Sequence, residues 1–196
     1  MLKQGDETVF WTKRVQENVS VDNSQMVFVG YGIVAPEYGW NDYKGIDMKG
    51  KTAVMLINDP GFATQDDTLF KGNAMTYYGR WTYKYEEAAR QGADAVIIIH
   101  ETAPAAYPWQ VVETSWQGKQ IDLKREDMGL ARVNVESWIT HSIAQSLFEQ
   151  SGLDLEELKM EALNAEFKPV IMQGLSLKAR LNNTIRFASS HNIAAV

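Results

Sequence analysis

Two short, almost wholly apolar runs constrain this chain more than any other feature: Thr52-Ala53-Val54-Met55-Leu56-Ile57 and Ala95-Val96-Ile97-Ile98-Ile99. A strand that is apolar at consecutive positions has no solvent face, so it belongs inside a sheet covered on both sides. Between the two runs, Trp81, Tyr85, Ala88 and Ala89 fall at i, i+4, i+7 and i+8. That spacing draws one stripe along a helix over 81–91, with Lys84, Glu87 and Arg90 on the opposite side. Gly92 suits the left-handed residue that ends a helix. Strand, helix and strand in this order predict a β-α-β unit, two parallel strands joined by a right-handed crossover.

Elsewhere the pattern is weaker. Met26–Val34 reads as a strand, and 35–50, broken by Pro36, Gly39, Gly45 and Gly50, as a loop. Asn58-Asp59-Pro60-Gly61 favours a turn, and 61–80 reads as irregular. The polar stretch 117–128 fits a solvated loop or hairpin, and 131–135 alternates as a half-buried strand would. A second amphipathic helix spans 140–150, with Thr140 as N-cap and Gly152 as stop. Asp154 caps a third helix over 155–163, with Glu157 completing an acidic capping box. Residues 175–187 alternate loosely, as a strand or hairpin, and 193–196 open a further apolar run.

Composition removes several kinds of chemistry. The chain has 196 residues, enough for one large domain or one domain with an appendage. Lys plus Arg number 19 and Asp plus Glu 25, a net charge of −6, which makes nucleic acid an unsuitable partner. There is no cysteine, hence no thiolate nucleophile and no disulfide. No run of about 18 apolar residues could span a membrane, and the N-terminus has no apolar stretch of the signal-peptide kind. His100, His141 and His191 form no pair at metal-binding spacing. Gly30-Tyr31-Gly32-Ile33-Val34-Ala35 matches the G-x-G-x-x-A dinucleotide form. That chemistry needs a helix opening directly after the glycines, whereas Ile33 and Val34 continue a strand and Pro36 interrupts any helix there. The adjacent carboxylates Asp66-Asp67, Glu86-Glu87 and Glu156-Glu157 read as solvated. No nucleophile elbow or P-loop appears. No catalytic or metal-binding set is therefore assigned to this chain. A small hydrolase built on His100, which ends a strand, stays open as a rival. All eight tyrosines lie between Tyr31 and Tyr107. Many fall in loops, where such rings either form a binding surface or plug the ends of the sheet.

The run from Gly50 to Ile57 and the run from Tyr85 to His100, with its Ala89-Arg90-Gln91-Gly92-Ala93 segment, resemble the core of a protease-associated (PA) domain. More closely, the chain is similar to the PA insert of dizinc aminopeptidases of the glutamate carboxypeptidase type. The supporting pieces are Val27–Ile33, Asn41–Asp47, Tyr78–Tyr85 and Tyr107-Pro108-Trp109. The resemblance implies an α/β fold of the PA type, with a β-sheet core, one β-α-β crossover and additional C-terminal helices. It divides the chain into a lead-in over 1–25, the PA domain over 26–188, and the start of a peptidase domain over 189–196.

The resemblance further implies a non-catalytic accessory domain that covers the active-site cleft of a zinc aminopeptidase and shapes substrate access or protein interaction. Its partners would be the peptidase domain of the same polypeptide and a peptide substrate. The zinc and its ligands would belong to the parent, beyond Val196, and the parent would be periplasmic or secreted. Tyr78, Arg80, Tyr83, Tyr107 and Trp109 are the candidate substrate lid: an arginine can pair with a carboxylate and rings can pack on apolar side chains. The alternative is a stand-alone module that binds peptide or carbohydrate through its aromatic loops.

Overall fold

The computed structural model describes residues 2–191, so most of the predicted peptidase start over 189–196 lies outside the described residues. In chain order the elements are β1 (Thr8–Trp11), β2 (Asn18–Phe28), β3 (Val34–Ala35), β4 (Trp40–Asn41), β5 (Thr52–Leu56), α1 (Pro60–Thr64), α2 (Trp81–Arg90), β6 (Ala95–His100), α3 (Thr102–Ala105), α4 (Trp109–Ser115), β7 (Val135–Thr140), α5 (His141–Gln150), α6 (Leu155–Glu161) and β8 (Val170–Asn182). Six strands form one mixed sheet in the order β1-β7-β6-β5-β2-β8. The inner four run parallel, and the two edge strands, β1 and β8, run antiparallel to their neighbours.

The two apolar runs take the centre of this sheet, paired in parallel from Thr52–Ala95 to Leu56–Ile99. Every residue of β5 and β6 is buried. Alternate side chains feed two separate layers. Val54, Leu56, Ile97 and Ile99 pack with Phe28 and Phe148 on one face. Ala53, Met55, Val96 and Ile98 pack with Tyr85, Ala88 and Trp138 on the other. Covering both faces is what makes consecutive apolar residues favourable, at about 1.5–3 kcal/mol for each large side chain. The chain is thus an α/β protein, with α2 connecting parallel strands.

The capped helices also form where their end signals stand. The Thr140 hydroxyl accepts from the Ile143 amide and the Asp154 carboxylate from the Glu157 amide, so each cap satisfies a donor the helix leaves free. After Gly30 and Gly32, whose φ values are +54° and +64°, the chain enters the short β3–β4 hairpin. Among the described residues no α-helix opens directly after these glycines: a short 3-10 turn over Pro36–Tyr38 lies between β3 and β4.

Several elements differ from the sequence reading: α1, α3, α4 and the β3–β4 hairpin lie in stretches read as loop or left unassigned, and the strand placed at 175–187 is Val170–Asn182. The strand placed at 26–34 runs from Asn18 to Phe28, so the lead-in over 1–25 carries β1 and most of β2. Polar residues hide its alternation, but Val19 and Val21 are buried beneath the β2–β8 ribbon. The strand placed at 131–135 is instead Val135–Thr140, because Glu136 and Ser137 are buried with partners rather than solvated. Most telling, Lys84 and Glu87 do not face water: both are buried on α2. The loop from Tyr31 to Val34 packs over that side, with the Tyr83 hydroxyl hydrogen-bonded to the Val34 backbone.

Candidate functional site

Because β5, β6 and β7 are parallel, their carboxyl ends meet on one side of the sheet, where binding sites of α/β folds tend to lie. The residues just beyond those ends are Asn58 and Asp59, Glu101, and His141. The Asn58 amide donates to the Pro104 carbonyl at 2.8 Å and so ties the β5 and β6 loops together. An open cleft of about 490 Å³ lies over β6 and β7, lined by His100, Glu101, Trp109, Thr140, His141 and Ser142 among others. A smaller cavity of about 150 Å³ adjoins it, reached by Tyr31, Asp59, Phe62, Glu101 and Lys159.

Charged groups cluster at the boundary between the two spaces. Lys159 of α6 donates to Glu101 at 2.5 Å and stands 3.1 Å from Glu156. His141 places Nδ1 3.7 Å from Glu101 and Nε2 3.6 Å from Glu156.

Below lies a buried group. Lys84 Nζ donates to the Asn58 carbonyl at 2.7 Å and to the Tyr31 carbonyl at 2.5 Å. Asp42 accepts from the Ile33 amide at 2.9 Å and from Trp40 Nε1 at 2.7 Å. Burial pushes the Asp42 carboxyl up to about 7 and the Lys84 ammonium down to about 7, while their mutual attraction works against both shifts. Asp59 accepts from the Thr76 hydroxyl at 2.7 Å, and its Oδ1 has no partner.

Four of the five lid candidates divide between the two packed layers, and Arg80 belongs to neither. Tyr78 and Tyr83 pack on the layer that contains Phe28 and Phe148; Tyr107 and Trp109 pack on the layer that contains Trp138. Tyr78 stacks edge-on against Tyr83 and Phe70 and donates to Glu37 at 2.6 Å. Tyr83 is buried, bonded to Val34, so its role is packing. Arg80 is exposed and has no ion pair among the described residues. Trp109 donates to the Gly5 carbonyl at 2.8 Å and lines the cleft.

His100 is 4% exposed, enclosed by Tyr107, Trp109 and Trp138, with Nε2 at 3.0 Å from the Tyr107 carbonyl. Such burial against rings disfavours a hydrolase built on it. Burial lowers its pKa below the ordinary 6.5. The native state therefore resists a proton that the unfolded chain accepts, and stability is lost as pH falls below 6.5 towards the folded value. His100→Gln is expected to flatten that part of a Tm-against-pH curve. An unchanged slope would remove His100 as its cause.

Glu101, His141, Glu156 and Lys159 were not legible as a site. The Glu156–Lys159 spacing places both on one side of a helix, and His141 reads as a surface residue. Nothing local connects either to Glu101, which follows a strand far earlier in the chain.

No protein-family model matches the chain, and no curated protein matches it. Among solved structures, an aminopeptidase from Aneurinibacillus sp. strain AM-1 is similar at a TM-score of 0.36 and 22% identity. The match covers 74% of this chain and 24% of that one, so the chain spans about a quarter of its length. At that distance nothing about activity or substrate carries over.

Proposed function

We propose that this chain is a non-catalytic accessory domain of the protease-associated type, which covers the cleft of a zinc aminopeptidase and shapes access for peptide substrates. The motifs behind the resemblance coincide with the centre of the fold: Gly50-Lys51 leads into β5, Tyr85–Arg90 lies in α2, and Ala95–His100 is β6. On this reading the zinc ligands and the general base are residues of the peptidase domain. This chain contributes shape, rings and charge.

The observation that carries the reading is the platform leading into α2. Tyr77 is 54% exposed, Tyr78 is half-buried and braced by Phe70, Tyr83 and Glu37, and Arg80 stands exposed beside them. Braced rings lose little freedom when an apolar side chain settles on them. A free guanidinium offers a bidentate partner to a peptide carboxylate.

In the full-length peptidase, Arg80→Ala is expected to lower kcat/KM on peptide substrates about tenfold or more, the size of a lost charged hydrogen bond. Its Tm should stay unchanged because the side chain is solvated. Unaltered kinetics would defeat the proposal. So would chelator-sensitive turnover of dipeptides by the isolated, zinc-supplemented chain.

A further inference from the structure

We propose that the cleft over the ends of β6 and β7 binds a free α-amino acid with an apolar side chain, its carboxylate at the start of α5 and its ammonium at His100 and Glu101. The accessory reading requires no ligand in this chain, so the inference goes beyond it. At about 490 Å³ the cleft falls within the range of small-molecule sites, about 300–1,000 Å³.

His100 is the residue that points to a ligand. It is 4% exposed, yet it lines the cleft. Its Nε2 lies 3.0 Å from the Tyr107 carbonyl. A carbonyl only accepts, so Nε2 carries the proton and Nδ1 is left with a lone pair. Nδ1 has no partner among the described residues, and a buried acceptor without a donor is an arrangement that folded proteins avoid. What completes it must bring an N–H or O–H into the cleft. Glu101, the next residue, gives Oε1 to Lys159 at 2.5 Å, and its Oε2 likewise has no partner among the described residues.

Donors stand at the other wall. α5 begins at His141, and the first amides of a helix have no partner within it. The Ile143 amide turns to the Thr140 hydroxyl at 3.4 Å. Those of His141 and Ser142 bond to nothing among the described residues, and both residues line the cleft. Because β7 runs parallel to β6 and leads into α5, the positive end of that helix lies on the same side of the sheet as His100 and Glu101.

The charges select the ligand. An anion alone would meet the Glu101 carboxylate, and a cation alone would meet Lys159 and the positive end of α5. A zwitterion answers both, with its ammonium towards His100 and Glu101 and its carboxylate towards the two amides. Trp109 supplies an apolar wall. Its Nε1 donates to the Gly5 carbonyl at 2.8 Å, which fixes the ring before a side chain arrives.

Calorimetric titration of the whole chain with L-leucine is expected to show one saturable site. Leucinamide lacks the carboxylate and isocaproate lacks the ammonium; each should bind at least about tenfold less tightly, the size of a lost charged hydrogen bond. Proline is tolerated at the first helical position and removes the amide donor there. His141→Pro should therefore weaken leucine binding about tenfold, while His141→Ala, which keeps the amide, should not. His100→Phe, which keeps a ring among rings, should weaken it comparably. Thermal melts would establish that the variants are folded, and the two analogues test the site on the wild type in any case. No saturable heat at millimolar leucine would overturn the site. So would leucinamide or isocaproate binding as tightly as leucine, or equal losses in His141→Pro and His141→Ala. The titration reads no peptidase activity, so the site and the accessory function can fail independently.

Discussion

Replacing Lys84 by methionine is expected to lower the unfolding free energy by about 3–5 kcal/mol, the usual cost of removing one partner of a buried charge pair. Methionine is nearly as long and fills much of the space, so the loss is chiefly that of the ammonium. Lys84 is fully buried, and it holds the Tyr31 and Asn58 carbonyls while facing Asp42 and Asp59. Without it, two carbonyls lose a donor and two buried carboxylates lose a cation. The pH dependence has a definite sign. In the variant the native state favours the acid forms of Asp42 and Asp59 more strongly than the unfolded chain does, which ionises them above about pH 4. The native state then binds more protons, so stability falls as pH rises from about 4 through neutrality. The defect should be smaller at about pH 5 than at about pH 8, and Asp42→Asn in the same chain should recover part of it. Urea midpoints at the two pH values check both statements. An equal loss at both would mean that the carboxylates are not the cause.

Arg132→Leu is expected to cost a similar amount, about 3–5 kcal/mol. Its guanidinium donates to Glu136 at 3.0 and 2.6 Å, and Trp11 Nε1 donates to the same carboxylate at 2.9 Å. Glu136 has no exposed surface and lies within β7 opposite Trp11 of β1. Burial raises its pKa even with the arginine present. Losing Arg132 should therefore free the β1 edge first, visible as faster amide exchange over 8–11. Glu136→Gln in the Arg132→Leu background should restore much of the stability, because a neutral amide is cheaper to bury than an unpaired carboxylate. If the second substitution restores nothing, the arginine acts through packing. Domains of this size are held by only about 5–15 kcal/mol, so either single variant would leave the fold marginal.

Both positions show why part of the molecule was hidden from a reading of its residues. Lys84 and Glu87 occupy the side of α2 away from its apolar stripe, and on a helix with one covered face they would be solvated. Helical periodicity reports the face that meets the sheet, and it says nothing of a second layer. Here the Tyr31–Val34 loop supplies that layer, from far upstream in the chain. Glu136 masked β7 in the same way: its partners Arg132 and Trp11 make a buried carboxylate tolerable, and Trp11 lies 125 residues away. Likewise Tyr78 and Tyr107 look equivalent as loop tyrosines. Which face of the sheet each one packs on depends on strand order.

The central strands β5 and β6, the helix between them and the caps of α5 and α6 could be read directly, since each arises from interactions among residues close in the chain: uninterrupted apolar runs, a 3.6-residue stripe, an oxygen one turn before an amide. That β3, and not an α-helix, follows Gly32 was legible for the same reason. Sheet order, the edge strands, the burial of Lys84 and the meeting of Glu101, His141, Glu156 and Lys159 arise from chain folding over long distances. A charge in the interior is acceptable only beside its partner, and partners are brought together by packing that no local pattern encodes.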